Sequence, residues 1–195
     1  MLFFDNFVAH FIHHLIHTKM LKKILLGIVG IIALLLIAAL FVDKDFSAQR
    51  SIVINKPKSE VFAYLKSLKN QDNWSVWGKR DPNMKKEFVG TDGTIGCVSK
   101  WSGNDEVGVG EQEIKAITEG EKIDFELRFK KPFESTSKAY LTTEAVDSTS
   151  TKVTWGFSGS MPYPMNLMRV FMNMDEAIGK DFDEGLSNLK NILDK

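Results

Sequence analysis

The longest apolar pattern in the chain is a run of nineteen residues, Ile24 to Val42, without a charged or strongly polar side chain. A helix of this length extends about 28 Å at 1.5 Å per residue, close to the roughly 30 Å hydrocarbon thickness of a bilayer. A core helix of a soluble domain would show a polar stripe, and this run shows none. The run therefore predicts a transmembrane helix.

Charged residues flank the run on both sides. Three lysines precede it within residues 19–23, and the segment Asp43–Asp45 follows it. Because basic residues tend to stay on the cytoplasmic side, we predict a single-pass membrane protein with its N-terminus in the cytoplasm and its C-terminal domain outside, periplasmic or otherwise extracytoplasmic. A cleaved signal peptide is the competing interpretation, but its apolar core is usually shorter, and Leu40–Val42 form a poor cleavage site. We favour a retained anchor.

The first nineteen residues contain all four histidines of the chain: His10, His13, His14 and His17. On a helix they would share one face, which could in principle hold a metal ion, but we expect no metal site and no cofactor. Met20 followed by lysines and the apolar run is typical of a natural start. We interpret this segment as a mis-set start, with Met20 as the real first residue, or as a short amphipathic interfacial piece. The predicted division is a cytoplasmic segment (1–23), an anchor (24–42) and a domain (46–195).

Alternation of apolar and polar residues predicts a series of strands in the domain. Phe46–Asn55 comes first, a helix opens at Pro57, and Asn70–Trp77 reads as a second short helix or turn. The later strands are Lys85–Val89, Gly93–Trp101, Val107–Ile117, Lys122–Lys130, Ser135–Val146 and Thr151–Ser160. Turn residues recur every ten to fifteen positions, so we expect an antiparallel meander. The Gly108-Val109-Gly110 stretch indicates a bulge or bend in a curved sheet.

The last part of the domain predicts one long helix, from about Met165 to Leu193. Its apolar stripe recurs at three and four residues: Leu167, Phe171, Met174, Ile178, Phe182, Leu186, Leu189 and Leu193. Such a stripe has to be buried, and the antiparallel sheet offers a face for it. We therefore expect an α+β fold in which a curved antiparallel sheet wraps around the C-terminal helix and leaves a space between them.

Composition excludes some classes of function and chemistry. The chain has 25 basic and 25 acidic residues, and the part from Phe46 onward has 21 and 22. This near-neutral domain lacks the basic excess that nucleic-acid binding requires. The single cysteine, Cys97, excludes an intrachain disulfide and is expected to be a small buried hydrophobe. The domain contains no histidine, so a histidine general base is excluded.

Several motifs resemble the START and polyketide-cyclase-like superfamily, also called SRPBCC. They are the opening strand and helix RSIVINKPKSEVFAYL, the tryptophan turn NQDNWSVW, the hairpin GTIGCVSKWSGNDEVGVGEQEI and the final GKDFDEGLSNLKNIL. The resemblance covers about residues 46–195. It implies a helix-grip fold with a deep cavity between the sheet and the long helix. The superfamily includes lipid carriers, metabolite binders, aromatase/cyclases and oxygenase subunits, so the resemblance implies no fixed catalytic residues.

The candidate ligand-binding residues are apolar or lie on strands near the expected cavity. Aromatic walls and methionines suit an apolar ligand, although each of these side chains can equally be ordinary core. A few polar groups, Glu113 and Tyr140 among them, could orient a ligand or transfer protons, although a solvated Glu113–Arg128 surface pair fits strand parity better. The candidates are Trp77, Trp101, Glu113, Phe125, Tyr140, Trp155, Met168, Phe171 and Met172.

Three functions remain open. The favoured one is a binding module for an apolar small molecule or lipid, kept near the membrane by Ile24–Val42. The second is a polyketide cyclase or dehydratase-like enzyme, which would need acid and base groups such as Glu113, Tyr140 and Glu144 inside the cavity. The third is a structural or regulatory interaction domain without a ligand. We assign no catalytic residue from the sequence.

Overall fold

The N-terminal helix α1 runs without interruption from Leu2 to Ala39. The computed structural model describes the backbone of residues 2–195 and the side chains of residues 20–195, so the predicted histidine face lies outside the described side chains. From Met20 to Ala38 every side chain is exposed, and Met20–Ala39 has the length and composition to cross a membrane. A membrane span and a signal sequence both fit this helix.

Within residues 2–195, seven antiparallel strands form a single sheet, as the alternation pattern predicted. Their order across the sheet is β1-β7-β6-β5-β4-β3-β2, so β2 to β7 are a meander and β1 pairs with the last strand. The strands are β1 (Asp45–Ile54), β2 (Lys85–Val89), β3 (Val98–Ser102), β4 (Val109–Thr118), β5 (Lys122–Lys131), β6 (Ser135–Ala145) and β7 (Thr151–Ser160). We call the end where β1 begins, just after α1, the proximal end, and the opposite end the distal end.

The helices of the domain lie on one face of this sheet, the inner face. They are α2 (Lys58–Lys66), α3 (Leu68–Trp74), α4 (Trp77–Arg80), a 3₁₀ helix (Met165–Val170) and α5 (Met174–Leu193). Phe182, Leu186 and Leu189 of α5 are buried in one core with side chains of the sheet and of α2 and α3. The predicted α+β helix-grip architecture is confirmed.

The predicted strand Gly93–Trp101 is too long, because the real strand begins only at Val98. Gly93 and Gly96 have φ angles of 73° and 84°, a conformation that glycine adopts easily and that ends an extended strand. The bulge or bend predicted at Gly108-Val109-Gly110 is present at the start of β4. Gly108 has a φ of 71°, and the pairing of β4 with β5 shifts register between Val109 and Gly110.

The predicted helix from Met165 to Leu193 is in fact two pieces. A 3₁₀ helix ends at Val170, and α5 begins at Met174 with Asn173 as its N-cap, whose side chain accepts a hydrogen bond from the backbone N–H of Glu176 at 3.3 Å. Phe171 therefore does not belong to the buried stripe, and it is 82% exposed. The segment 161–173, which we call the connector, crosses the proximal end of the domain.

The core is densest at the distal end and opens toward the proximal end. Along β5, Ile123 and Phe125 are buried, whereas Leu127 and Phe129 on the same face are half-buried. Burial of these inner-face residues decreases from Ile123 to Phe129. The space between the sheet and the helices is therefore closed at the distal end and open at the proximal end.

Candidate functional site

A cleft of about 740 Å³ opens at the proximal end, between the beginning of β1 and the connector. Pockets for small-molecule ligands usually measure about 300–1,000 Å³, so this cleft has a suitable size. Apolar and ionisable side chains both line it. The apolar ones are Phe46, Val170, Phe171, Met172 and Met174, and the ionisable ones are Asp45, Arg169 and Asp175.

The walls of the cleft follow from local sequence. Phe46 lies at an inner-face position of β1, and its ring centroid is 6.1 Å from that of Phe157 on β7. After β7, Pro162 and Pro164 cannot donate to a strand ladder, so the chain leaves the sheet and folds back across the start of β1. The connector thereby forms the second wall.

Hydrogen bonds fix the connector to the end of α1. The side chain of Asn166 is fully buried, and its Nδ2 donates to the carbonyl of Ala39 at 2.7 Å and to that of Val42 at 2.8 Å. Arg169 Nη1 donates to the carbonyl of Asp43. The last carbonyls of a helix lack partners within it, so the bond to Ala39 stabilises the end of α1. The bonds to Val42 and Asp43 hold the segment that follows α1 against the 3₁₀ helix.

An ion pair closes the side of the cleft next to α5. Arg50 on β1 binds Asp175 in the first turn of α5, with Nη1–Oδ1 and Nη2–Oδ2 distances of 3.0 and 3.2 Å, and its Nε lies 3.3 Å from Asp183 Oδ2. Gly179 makes room for it, because a Cβ atom there would overlap the guanidinium group. Hydrogen bonding to Arg50 lowers the pKa of Asp175, which keeps that carboxylate ionised.

Aromatic rings fill the space under the middle of α5. Trp155 stacks on Phe182 with ring centroids 4.1 Å apart, and Trp74 and Trp77 meet Trp155 edge-on at 4.8 and 5.6 Å. Gly185 permits this packing, because a Cβ atom there would lie 2.9 Å from the ring of Trp155. We call the sheet with the helices on its inner face the cup. Its middle is therefore filled by side chains, and open volume remains at the proximal end.

Four of the sequence-predicted residues lie on the inner side but outside the cleft. Phe125 and Trp155 are buried in the core, and Trp77 packs against it. Trp101 on β3 faces Phe129, with ring centroids 5.8 Å apart, and its indole nitrogen donates to the carbonyl of Val107 at 3.3 Å. These side chains form the body of the cup behind the cleft.

Glu113 and Tyr140 lie on the outer face, pointing away from the cup. Glu113 accepts a hydrogen bond from Arg128 Nη1 at 2.7 Å, so the two form the surface pair that strand parity favoured. That bond lowers the pKa of Glu113. The ring of Tyr140 covers Gly156 of the neighbouring strand, and its hydroxyl group is 2.8 Å from Gln49 Oε1.

The connector carries the remaining three predicted residues. Phe171 and Met172 line the cleft, whereas Met168 is exposed beside it. Sequence reasoning missed Phe46 and Arg169. The inner-face parity of Phe46 was a usable signal, but the position of Arg169 depends on the fold of the connector.

The chain belongs to the family of polyketide cyclase/dehydrase and lipid transport proteins, whose model matches residues 45–194. The match spans the sheet, the connector and α5, the whole structure that surrounds the cleft. No curated protein is significantly similar to the chain in sequence.

Solved structures with the same fold are distant in sequence. A protein from Nitrosospira multiformis is 18% identical with a TM-score of 0.55, over 76% of this chain and 96% of that one. A protein from Chromobacterium violaceum is 11% identical with a TM-score of 0.54, over 76% and 97% of the two chains. Aha1 from Colwellia psychrerythraea, solved as a dimer, is 13% identical with a TM-score of 0.53, over 76% and 96%. These similarities establish the fold.

Proposed function

We propose that this protein is a membrane-anchored binding protein for a lipid or another apolar small molecule, held in the cleft between β1 and the connector. The observation that carries the proposal is the cleft itself, with apolar walls from Phe46, Val170, Phe171 and Met172. Its volume would accommodate a drug-sized ligand or part of a lipid chain. Membership of a family that includes lipid transport supports the same function.

The polar groups of the cleft favour a ligand with an anionic end. Arg169 is the basic residue of the lining, and within residues 20–195 it has no carboxylate partner within ion-pair distance. Asp175, in contrast, is already bound to Arg50. A carboxylate or phosphate placed near Arg169 would gain a charge-assisted hydrogen bond while the apolar chain contacts the methionine and phenylalanine side chains.

Retention of α1 as an anchor is the second part of the proposal. The exposed apolar surface from Met20 to Ala38 would be unfavourable in water, and the charge-free run after Lys23 matches a bilayer. With the lysines on the cytoplasmic side, the domain would lie outside the cytoplasm.

The cyclase or dehydratase alternative needs groups that transfer protons at the ligand. Tyr140, Glu113 and Glu144 all lie on the outer face, as the inner-face burial of their strand neighbours indicates. In the cleft, the lowered pKa of Asp175 makes it a poor general acid near neutral pH. These features favour binding over catalysis. A ligand-free interaction domain is the remaining alternative, and the open cleft argues against it.

Native mass spectrometry of the full chain released from detergent micelles tests the proposal, with oleic acid as the probe. Met172→Asp places a charge in the cleft lining, and Met165→Asp places one on the connector outside that lining. The two methionines are 44% and 41% exposed, so neither substitution disturbs the core.

We expect one oleate bound to the wild type and to Met165→Asp, and about tenfold weaker binding to Met172→Asp, equivalent to about 1.4 kcal/mol. Equal loss of binding in both variants, or no adduct in the wild type, would contradict the proposed site.

A further inference from the structure

Exposed large apolar side chains are concentrated at the proximal end of the domain. Phe171, Phe133 and Val170 are 82%, 70% and 61% exposed. Met165, Met168 and Met172 accompany them on the connector and are exposed as well. Large apolar groups left in water at one end of a domain mark interaction surfaces, and we call these six side chains the patch.

This patch lies beside the C-terminal end of α1. The buried Asn166 binds the carbonyls of Ala39 and Val42, and Arg169 binds that of Asp43, so the connector is held where the apolar run ends. Phe133 comes from an independent element, the turn between β5 and β6. Strand pairing brings that turn to the same end, two to three strands from β1, or roughly 10–14 Å at 4.8 Å per strand.

The partner that fits this surface is the lipid bilayer. The patch continues the exposed apolar surface of α1, and two unconnected segments contribute aromatic rings to one end of the sheet. At the distal end the exposed large apolar side chains are aliphatic, without an aromatic ring, and come from four places along the chain: Val53, Val89, Ile95 and Val146. Amphipathic surface elements bury their apolar side about 5–10 Å into the boundary between headgroups and acyl chains.

We propose that the proximal end of the domain lies on the membrane that α1 spans, with Phe171 and Phe133 among the lipid chains and the mouth of the cleft open to the bilayer. The proposal rests on the proposed retention of α1 as an anchor. Val170, Phe171 and Met172 belong to both the patch and the cleft lining. A lipid chain can therefore pass from the bilayer into the cleft without crossing water.

Site-directed fluorescence quenching tests this orientation in the full chain. Phe171→Cys, Phe133→Cys and the distal control Val146→Cys are labelled with the fluorophore NBD in liposomes of phosphatidylcholine and phosphatidylglycerol. Lipids with a nitroxide at acyl position 5 act as quenchers. The native Cys97 is buried, and burial raises the pKa of its thiol, so it stays unlabelled. Ile31→Cys with a nitroxide at position 12 reports insertion of α1.

We expect strong quenching and a blue-shifted emission for labels at 171 and 133, at least threefold more quenching than at 146, and strong quenching at 31. Quenching at 31 together with values at 171 and 133 no greater than at 146 would overturn the docked orientation and leave the anchor intact. Absence of quenching at 31 would overturn the anchor and the docking that rests on it. Near-ultraviolet circular dichroism verifies that each variant retains the native aromatic packing.

Discussion

Truncation of Phe182 tests whether the middle of the cup is solid. The ring is 2% exposed, stacks on Trp155 with an interplanar angle of 11°, and lies 6.0 Å from the ring of Trp77 in an edge-on arrangement. Phe182→Ala removes these contacts and leaves a cavity between α5 and the sheet. Phe182→Leu keeps most of the apolar volume and loses only the aromatic geometry.

The expected magnitudes follow from this packing. Truncation of a fully buried phenylalanine to alanine lowers the free energy of unfolding by about 3–5 kcal/mol when the neighbouring side chains cannot move in to fill the cavity. Ring–ring contacts account for about 0.5–1.5 kcal/mol of it. Phe182→Leu is therefore expected to cost about 1–2 kcal/mol.

Urea unfolding of the full chain in a non-ionic detergent, followed by tryptophan fluorescence, measures these losses. All four tryptophans lie in the domain, so the signal reports its unfolding. The matched control is Phe133→Ala, the same substitution at a side chain that is 70% exposed, with an expected change within about 0.5 kcal/mol. A loss below about 1 kcal/mol for Phe182→Ala would refute the packed cluster and make the middle of the cup the better ligand chamber.

Three further predictions concern the contacts around the cleft and α5. The hydrogen bond to Arg50 lowers the pKa of Asp175, so the ion pair stabilises the fold at neutral pH and this stabilisation is lost as the pH falls through the lowered pKa. Asp175→Asn removes the titrating group and should flatten the pH dependence of the urea midpoint below about pH 4. Asn166→Leu removes the donors to α1, at a cost of about 1–3 kcal/mol, and should speed hydrogen exchange in the connector tenfold or more without affecting β5, as measured by mass spectrometry. Asp194→Ala removes the acceptor of the Asn55 backbone N–H at 2.8 Å and should lower the free energy of unfolding by about 1 kcal/mol in urea titrations.

The sheet could be predicted because most of its strands place inner-face and outer-face residues with a period of two, with β4 interrupted by register shifts. In β5, Ile123 and Phe125 occupy the inner face and their charged neighbours the outer face, as the alternation indicated. Which residues of a strand face the core decides where its other side chains lie. The aromatic ring of Tyr140 suggested an inner-face position, but Ala139 and Leu141 occupy the inner positions of β6. Tyr140 lies on the outer face and covers the backbone of Gly156.

The connector could not be predicted from periodicity, because apolar residues at helical spacing continue through it. The 3₁₀ helix at Met165–Val170 keeps the same apparent stripe, but its fully buried side chain is the polar Asn166, and the stripe residue Leu167 is only half-buried. A local signal was present in the sequence. Asn173 followed three residues later by Glu176 is a typical helix start, and it marks the true beginning of α5. The cleft depends on this break, so the site was less predictable than the fold.

Photo-crosslinking with a diazirine-bearing fatty acid measures most directly where a ligand binds. The full chain in liposomes is irradiated, digested and sequenced by mass spectrometry. We predict adducts on Phe46 and on residues 170–174, lost in competition with oleate. Adducts confined to the helix before Val42, or spread over the outer face around Tyr140 and Arg128, would contradict a ligand site between β1 and the connector.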